Sequence, residues 1–130
     1  MQDSIFTKII NGEIPSHKLY EDEHTYVFLD IYPVAPGHTL VVPKQQVEFV
    51  WDLDEETYLA LQRTTKKIAL RLRERMSVPY VGEQIVGVDV PHAHIHLIPF
   101  TTVNEFRGTQ DQSAAPDHDA LAQLAEKLAL

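Results

Sequence analysis

Apolar and polar residues alternate with two different periods along the chain. Near the start, apolar residues at helical spacing predict a short helix that Asp3 or Ser4 caps and that Asn11 and Gly12 end. Segments rich in β-branched and aromatic residues then predict strands. Three of these strands fall in the first third of the chain, at 17–21, 25–30 and 38–43.

A long helical pattern occupies the middle of the chain. It begins at a cap formed by Asp54, continues to about Met76 with Arg and Lys opposite its apolar face, and ends before Pro79. The order of elements predicts an α+β fold in which one long helix, a short N-terminal helix and a C-terminal helix pack with five antiparallel strands. The remaining segments are a fourth strand at 80–86, a fifth at 91–100, an irregular polar stretch at 101–115 and a terminal helix at 116–130.

Three histidines occupy every second position of the fifth predicted strand. Because alternate side chains of a strand share a face, His92, His94 and His96 are expected to point one way. The apolar residues between them are expected to face the core. The chain has seven histidines, so placing three in one row favours chemistry over isolated structural roles.

Composition limits the function classes. The chain of 130 residues suits one domain, and its net charge of −8 argues against a nucleic-acid polymer as partner. It contains no cysteine, which excludes disulfides and cysteine-based zinc sites and fits a cytoplasmic location. Its first residues lack the basic and apolar regions of a signal peptide, so none is expected, and no apolar run approaches membrane-spanning length.

A metal site is one reading of the histidine row. Neighbouring residues on one strand face lie about 6.5–7 Å apart, so two imidazoles can share an ion but three cannot easily do so. A further ligand would then come from His38, Asp30 or Asp89. The other reading is nucleophilic catalysis on phosphorus, in which the middle histidine attacks and a flanking one assists the phosphate or the leaving group.

The segment His92-Ala-His94-Ile-His96-Leu-Ile98 matches every position of the histidine triad (HIT) signature, in which three histidines alternate with apolar residues. The stretches 4–15 and 35–44 also resemble the opening helix and a central strand of that family. The resemblance runs from about Asp3 to Phe100 and is closest to the Hint-like branch of nucleoside phosphoramidate and nucleotidyl hydrolases. It implies a HIT domain at 1–100 and a C-terminal extension at 101–130 packed on the same domain.

This resemblance implies roles for individual residues. His94 is expected to be the nucleophile that forms a nucleotidyl-histidine, and His96 to contact the phosphate and assist the leaving group. His92 and His38 are expected to orient His94, and Asp30 to bind the ribose hydroxyls. The residues expected to line the base pocket are Ile5, Phe6, Ile9, Ile14, Ile31 and Leu40.

The chain departs from the family pattern near its nucleotide-contacting positions. Ser4 and Thr7 occupy positions where many bacterial relatives carry zinc-binding cysteines, so no structural zinc is expected. Val88 stands in place of a glutamine, and the asparagine that usually precedes it is missing. Asp89 falls where the family usually has Ser or Thr, and its carboxylate would repel a phosphate or favour a cationic leaving group.

The sequence therefore predicts a hydrolase of purine nucleoside phosphoramidates or related nucleotidyl conjugates, with no cofactor and no metal. The resemblance also implies a homodimer with a continuous sheet and a purine mononucleotide as ligand. Two alternatives remain open: a purine nucleotide-binding protein with weak or no catalysis, and a diadenosine polyphosphate hydrolase.

Overall fold

The computed structural model describes residues 2–130 as one sheet with helices on both of its faces. The order of elements confirms the predicted α+β fold. The helices are α1 (Ile5–Ile10), α2 (Glu55–Met76), α3 (Val103–Phe106) and α4 (His118–Leu128), with a 3-10 turn at Val50–Asp52; the strands are β1 (Lys18–Glu21), β2 (Thr25–Leu29), β3 (Thr39–Pro43), β4 (Tyr80–Gln84) and β5 (Ile95–Phe100).

All neighbouring strands of the sheet are antiparallel, in the order β1-β2-β3-β5-β4. The β1–β2 turn is held by Asp22, whose carboxylate accepts hydrogen bonds from the backbone N–H groups of His24 and Thr25. β3 lies at the centre and pairs with β5 so that Leu40 is opposite His96. This pairing brings the first and last thirds of the chain together at the histidines.

The long helix α2 covers one face of the sheet. Its N-terminus is capped by Asp54, which accepts from the Thr57 N–H at 2.7 Å, and its C-terminus is followed by Ser77 in a left-handed conformation. Leu61, Ile68 and Leu72 of its apolar face are buried against the sheet. Within residues 2–130, no helix is both long enough and apolar enough to cross a membrane.

The histidine strand is shorter than its sequence pattern predicts. β5 begins at Ile95, so the expectation of a strand from 91 was wrong, and both His92 and His94 precede it. The His92 N–H donates to the Val90 carbonyl at 2.8 Å, which makes a turn where the strand was expected. The alternation nevertheless holds, because Ala93, Ile95 and Leu97 are buried in the core beneath α2.

The segment after β5 is more ordered than its irregular sequence suggests. Glu105 accepts hydrogen bonds from the backbone N–H groups of Thr101 and Thr102, which fixes the start of α3. Further on, α4 packs Leu121 and Leu128 into the same core as α2. Arg71 of α2 donates to the carbonyl groups of Leu128 and Ala129 at the end of α4, so hydrogen bonds link the two helices.

Replacing Gly82 with Ala should destabilise the protein by about 1–3 kcal/mol, the usual cost of overpacking. A methyl group on Gly82 would overlap the ring of Phe106, which packs on Phe100 at a centroid distance of 5.2 Å. Urea unfolding of single and double variants measures the effect. The penalty should vanish in a Phe106→Ala background, and an equal penalty in both backgrounds would contradict the contact.

Candidate active site

Four imidazoles meet at one edge of the β3–β5 pair. His38 lies immediately before β3, His92 and His94 precede β5, and His96 is its second residue. The rings of His94 and His96 have a centroid distance of 5.0 Å, and those of His38 and His96 a distance of 5.1 Å. The structure thus brings together the four histidines expected at the site, and all but His96 are buried.

His92 is fixed on both sides of its ring. Its Nε2–H donates to the Pro43 carbonyl at 2.8 Å, and its Nδ1 accepts from the Ser4 hydroxyl at 2.7 Å. The carbonyl has no proton to give, so Nε2 must carry the ring proton. Burial lowers the pKa of His92 from its usual value, which keeps this ring neutral.

A polar network from α1 supports His92. The Thr7 N–H donates to the Ser4 hydroxyl at 3.0 Å, and the Thr7 hydroxyl donates to Gln46 Oε1 at 2.6 Å. Gln46 Oε1 also accepts from the Ser4 N–H at 2.9 Å. Ser4 and Thr7, which stand where many bacterial relatives carry zinc-binding cysteines, thus form hydrogen bonds through their hydroxyls. That the protein binds no structural zinc stays a prediction.

His94 is held in the tautomer that a nucleophile requires. Its Nδ1–H donates to the His92 carbonyl at 2.7 Å, which leaves the lone pair on Nε2. The edge of the Phe6 ring packs against the imidazole at a centroid distance of 5.0 Å. Burial lowers the pKa of His94, although the His92 carbonyl and the charges of Asp30 and Asp89 act in the opposite direction.

His38 and His96 form a relay with defined proton positions. The Val34 N–H donates to His38 Nδ1 at 3.0 Å, so His38 carries its proton on Nε2 and donates it to His96 Nδ1 at 2.9 Å. His96 must then carry its own proton on Nε2. The pKa of each ring is lowered to about 4, so both are neutral at pH 7. Burial is the main cause for both, and for His96 the neighbouring His38 and His94 contribute to the same shift.

Asp30 lies at the end of β2, beside His38. Its Oδ1 accepts from the Tyr32 N–H at 2.8 Å, its Oδ2 accepts from the Gln110 amide at 2.8 Å, and Oδ2 lies 3.7 Å from His38 Nε2. Burial raises the pKa of this carboxyl, while the two hydrogen bonds and the nearby histidines favour the charged form.

One set of side chains could hold a cation. In the described part of the chain, Asp30, His38 and His96 each offer a ligand atom within 4.8 Å of the others. A carboxylate and two imidazoles are a donor set that zinc accepts. Of the histidine row, only His96 belongs to this set, and binding an ion would break its hydrogen bond with His38.

His94 and His96 line a cavity of about 210 Å³, called the triad cavity below. Asp89 also lines it, and the charge of its carboxylate acts on both imidazoles. Val88 lines the rim and is 79% exposed. The two departures from the family pattern therefore place an acidic residue, Asp89, and an apolar residue, Val88, at the triad cavity.

The residues expected to line a base pocket are divided between the two faces of the sheet. Phe6, Ile9 and Leu40 are buried in a second apolar cluster, with Ile14 packed beside it, and Ile5 is half-exposed. Phe6 contacts two imidazoles of the triad, with ring centroids 5.7 Å from that of His92 and 5.0 Å from that of His94. Ile31 instead packs toward the main core and lines a cavity of about 320 Å³ between the β2–β3 loop and α4.

Three residues of the site have no signal in the sequence pattern. Gln46 and Gln110 lie in polar loops, and Val34 contributes only a backbone N–H. Gln46 contacts Thr7, 39 positions away along the chain, and Gln110 contacts Asp30, 80 positions away. Periodicity describes neighbours along the chain, so it carries no information on such contacts.

Comparison with known proteins identifies the family. The HIT domain model matches residues 11–103. An uncharacterised HIT-like protein of Borreliella burgdorferi is 42% identical over 106 residues, 76% of each chain. The adenosine 5′-monophosphoramidase HNT1 of Candida albicans is 35% identical over 133 aligned positions, 95% of this chain and 88% of that one.

Solved structures agree with this assignment. A Hit-like protein involved in cell-cycle regulation from Bartonella henselae superimposes with a TM-score of 0.82 at 30% identity, and the match covers 97% of this chain and 94% of that one. The fold, the triad signature and these similarities lead to one conclusion. The chain belongs to the histidine triad family, on its Hint-like branch.

Proposed function

We propose that the protein hydrolyses purine nucleoside phosphoramidates or related nucleotidyl conjugates through a nucleotidyl-His94 intermediate. The observation that carries this proposal is the hydrogen bond from His94 Nδ1–H to the His92 carbonyl, which leaves Nε2 with its lone pair beside the triad cavity. The similarity to proteins named adenosine 5′-monophosphoramidase supports the same reaction class.

The reaction proceeds in two displacements at phosphorus. His94 Nε2 attacks, a bond from Nε2 to phosphorus forms, and the bond from phosphorus to the amine nitrogen breaks. The amine leaves with that electron pair and takes a proton from water. In the second displacement the hydroxide left by that water attacks phosphorus and the bond to Nε2 breaks, which forms the nucleoside monophosphate and regenerates free His94.

The other histidines bind and orient. His96 donates its Nε2–H to a phosphate oxygen or to the leaving atom, because His38 fixes the proton there. His92 holds the carbonyl that orients His94. Asp30 binds the ribose hydroxyls, and the edge of Phe6 supports the ring of the nucleophile.

A purine nucleotide-binding protein with weak catalysis is the second candidate. The carboxylate of Asp89 favours it, because a negative charge on the wall of the triad cavity opposes a phosphate. The same charge raises the pKa of His94 and would attract a cationic amine, which favours phosphoramidate hydrolysis.

We propose a cytoplasmic homodimer that continues the sheet through β4. The sheet has two edges, β1 and β4. The β1 edge is partly occupied, because the Leu130 N–H donates to the Leu19 carbonyl at 3.0 Å. The β4 edge remains open to pairing with a second copy, with Tyr80 exposed beside it.

Replacing His94 with Ala should lower kcat/KM for a fluorogenic adenosine phosphoramidate by about a thousandfold or more, because the nucleophile is lost. AMP binding should survive, since Asp30 and His96 remain. The control is His24→Ala, in the β1–β2 turn away from the site. Wild-type turnover that a chelator abolishes would instead indicate metal catalysis, and AMP binding without wild-type turnover would favour the binding protein.

Turnover at pH 6.5 should remain above half of its pH 7.5 rate. Burial places the pKa of His94 below its usual 6.5, so most of the nucleophile is neutral there, whereas an unperturbed histidine would be half protonated. Asp89→Asn should move the acid limb of the kcat/KM profile to lower pH, because Asp89 raises this pKa. Asp119→Asn, on α4, is the matched control. An acid limb at or above pH 6.5 would contradict the assignment.

A further inference from the structure

An exposed segment crosses the edge of the candidate site. Residues 107–115, called the strap below, connect α3 to α4. Every residue of the strap is exposed except Gln110, which is half-buried. The strap therefore has one side chain that anchors it against the body of the domain.

The side-chain amide nitrogen of Gln110 donates two hydrogen bonds. Nε2 donates to Asp30 Oδ2 at 2.8 Å and to the Tyr32 carbonyl at 2.9 Å. An amide nitrogen has two protons, so both are engaged by the β2–β3 loop. The bond to Asp30 is stronger than a neutral one because its acceptor is a carboxylate.

The strap forms part of the wall of two cavities. Gly108 and Gln110 line the triad cavity, whereas Ala114 and Ala115 line the cavity of about 320 Å³ between the β2–β3 loop and α4. His38 lines both cavities. The contact between Asp30 and Gln110 thus lies at the boundary between them.

We propose that Gln110 is a specificity-determining residue. In the free protein its amide is hydrogen-bonded to the carboxylate of Asp30, and the vicinal hydroxyls of a ribose displace it. The inference rests on the proposed function, in which Asp30 binds those hydroxyls. The Tyr32 N–H already occupies Oδ1, and His38 faces Oδ2 at 3.7 Å. Because Gln110 and His38 already face Oδ2, a ribose that donates both of its hydroxyls to this carboxylate competes with the Gln110 amide for it.

The chemistry of the two ligand parts separates their effects on the strap. Adjacent ribose hydroxyls can both donate to one carboxylate, which compensates for the lost amide bond. Inorganic phosphate is an anion at neutral pH, lacks the vicinal hydroxyls of a ribose and is repelled by the Asp30 carboxylate, so it can enter the triad cavity beside His94 and His96 while Gln110 stays in place. The strap is therefore expected to open for a ribonucleotide and to stay closed for phosphate.

The first test compares affinities for wild type, Gln110→Ala and Gln112→Ala, an exposed residue of the same strap. At pH 8, AMP should bind Gln110→Ala about three- to tenfold more tightly than wild type by calorimetry, because no amide has to be displaced. The affinity for inorganic phosphate, followed by ³¹P NMR, should be the same in all three proteins.

The second test follows the strap itself. Arg107 is exposed at the start of the strap, so release of Gln110 should speed tryptic cleavage after this residue. AMP should accelerate that cleavage in wild type, phosphate should not, and Gln110→Ala should be cleaved rapidly without ligand. Equal or weaker AMP binding in Gln110→Ala overturns this proposal alone, whereas absence of AMP binding in wild type overturns the proposed function as well.

Discussion

The site depends on packing neutral imidazoles so closely that a charge on any one of them is costly. His38 and His96 are in hydrogen-bond contact at 2.9 Å, and His94 lies against the second of them. Burial and mutual repulsion together lower the pKa of His96 to about 4. Because a neutral imidazole is a donor at one nitrogen and an acceptor at the other, fixing one partner fixes the next.

The sheet and the turns beside it provide the groups that fix the tautomers of these histidines. All three are backbone groups, and two of them, the Val34 N–H and the Pro43 carbonyl, lie before and at the end of β3. The third is the His92 carbonyl, whose position depends on the turn that precedes β5. Pairing of β3 with β5 is therefore both the centre of the fold and the reason that the nucleophile points its lone pair into the cavity.

Sequence patterns were sufficient for most of the helices and strands and for the alternation of the triad. The spacing of His92, His94 and His96 predicted a shared face, and the intervening residues are indeed buried under α2. The start of β5 was not predictable, because the turn at Val90 depends on a backbone hydrogen bond rather than on side-chain periodicity. α3 was missed because a helix of four residues is too short to show a helical period.

Apolar residues near the site were harder to assign than the histidines. Phe6 and Leu40 have the same pattern whether they pack with each other or with a base, and the structure places them in a buried cluster. Gln110 is informative for the opposite reason: it is an ordinary polar residue in a polar segment, and only the fold reveals its contact with Asp30. Chemistry-bearing residues in a row are recognisable from sequence, whereas the groups that orient them are not.

The most direct test of this account is a long-range ¹H–¹⁵N NMR spectrum of the histidine rings at pH 7. The account predicts neutral rings, with the proton on Nδ1 of His94 and on Nε2 of both His38 and His96. A proton on Nε2 of His94, or an imidazolium at His38 or His96, would contradict it.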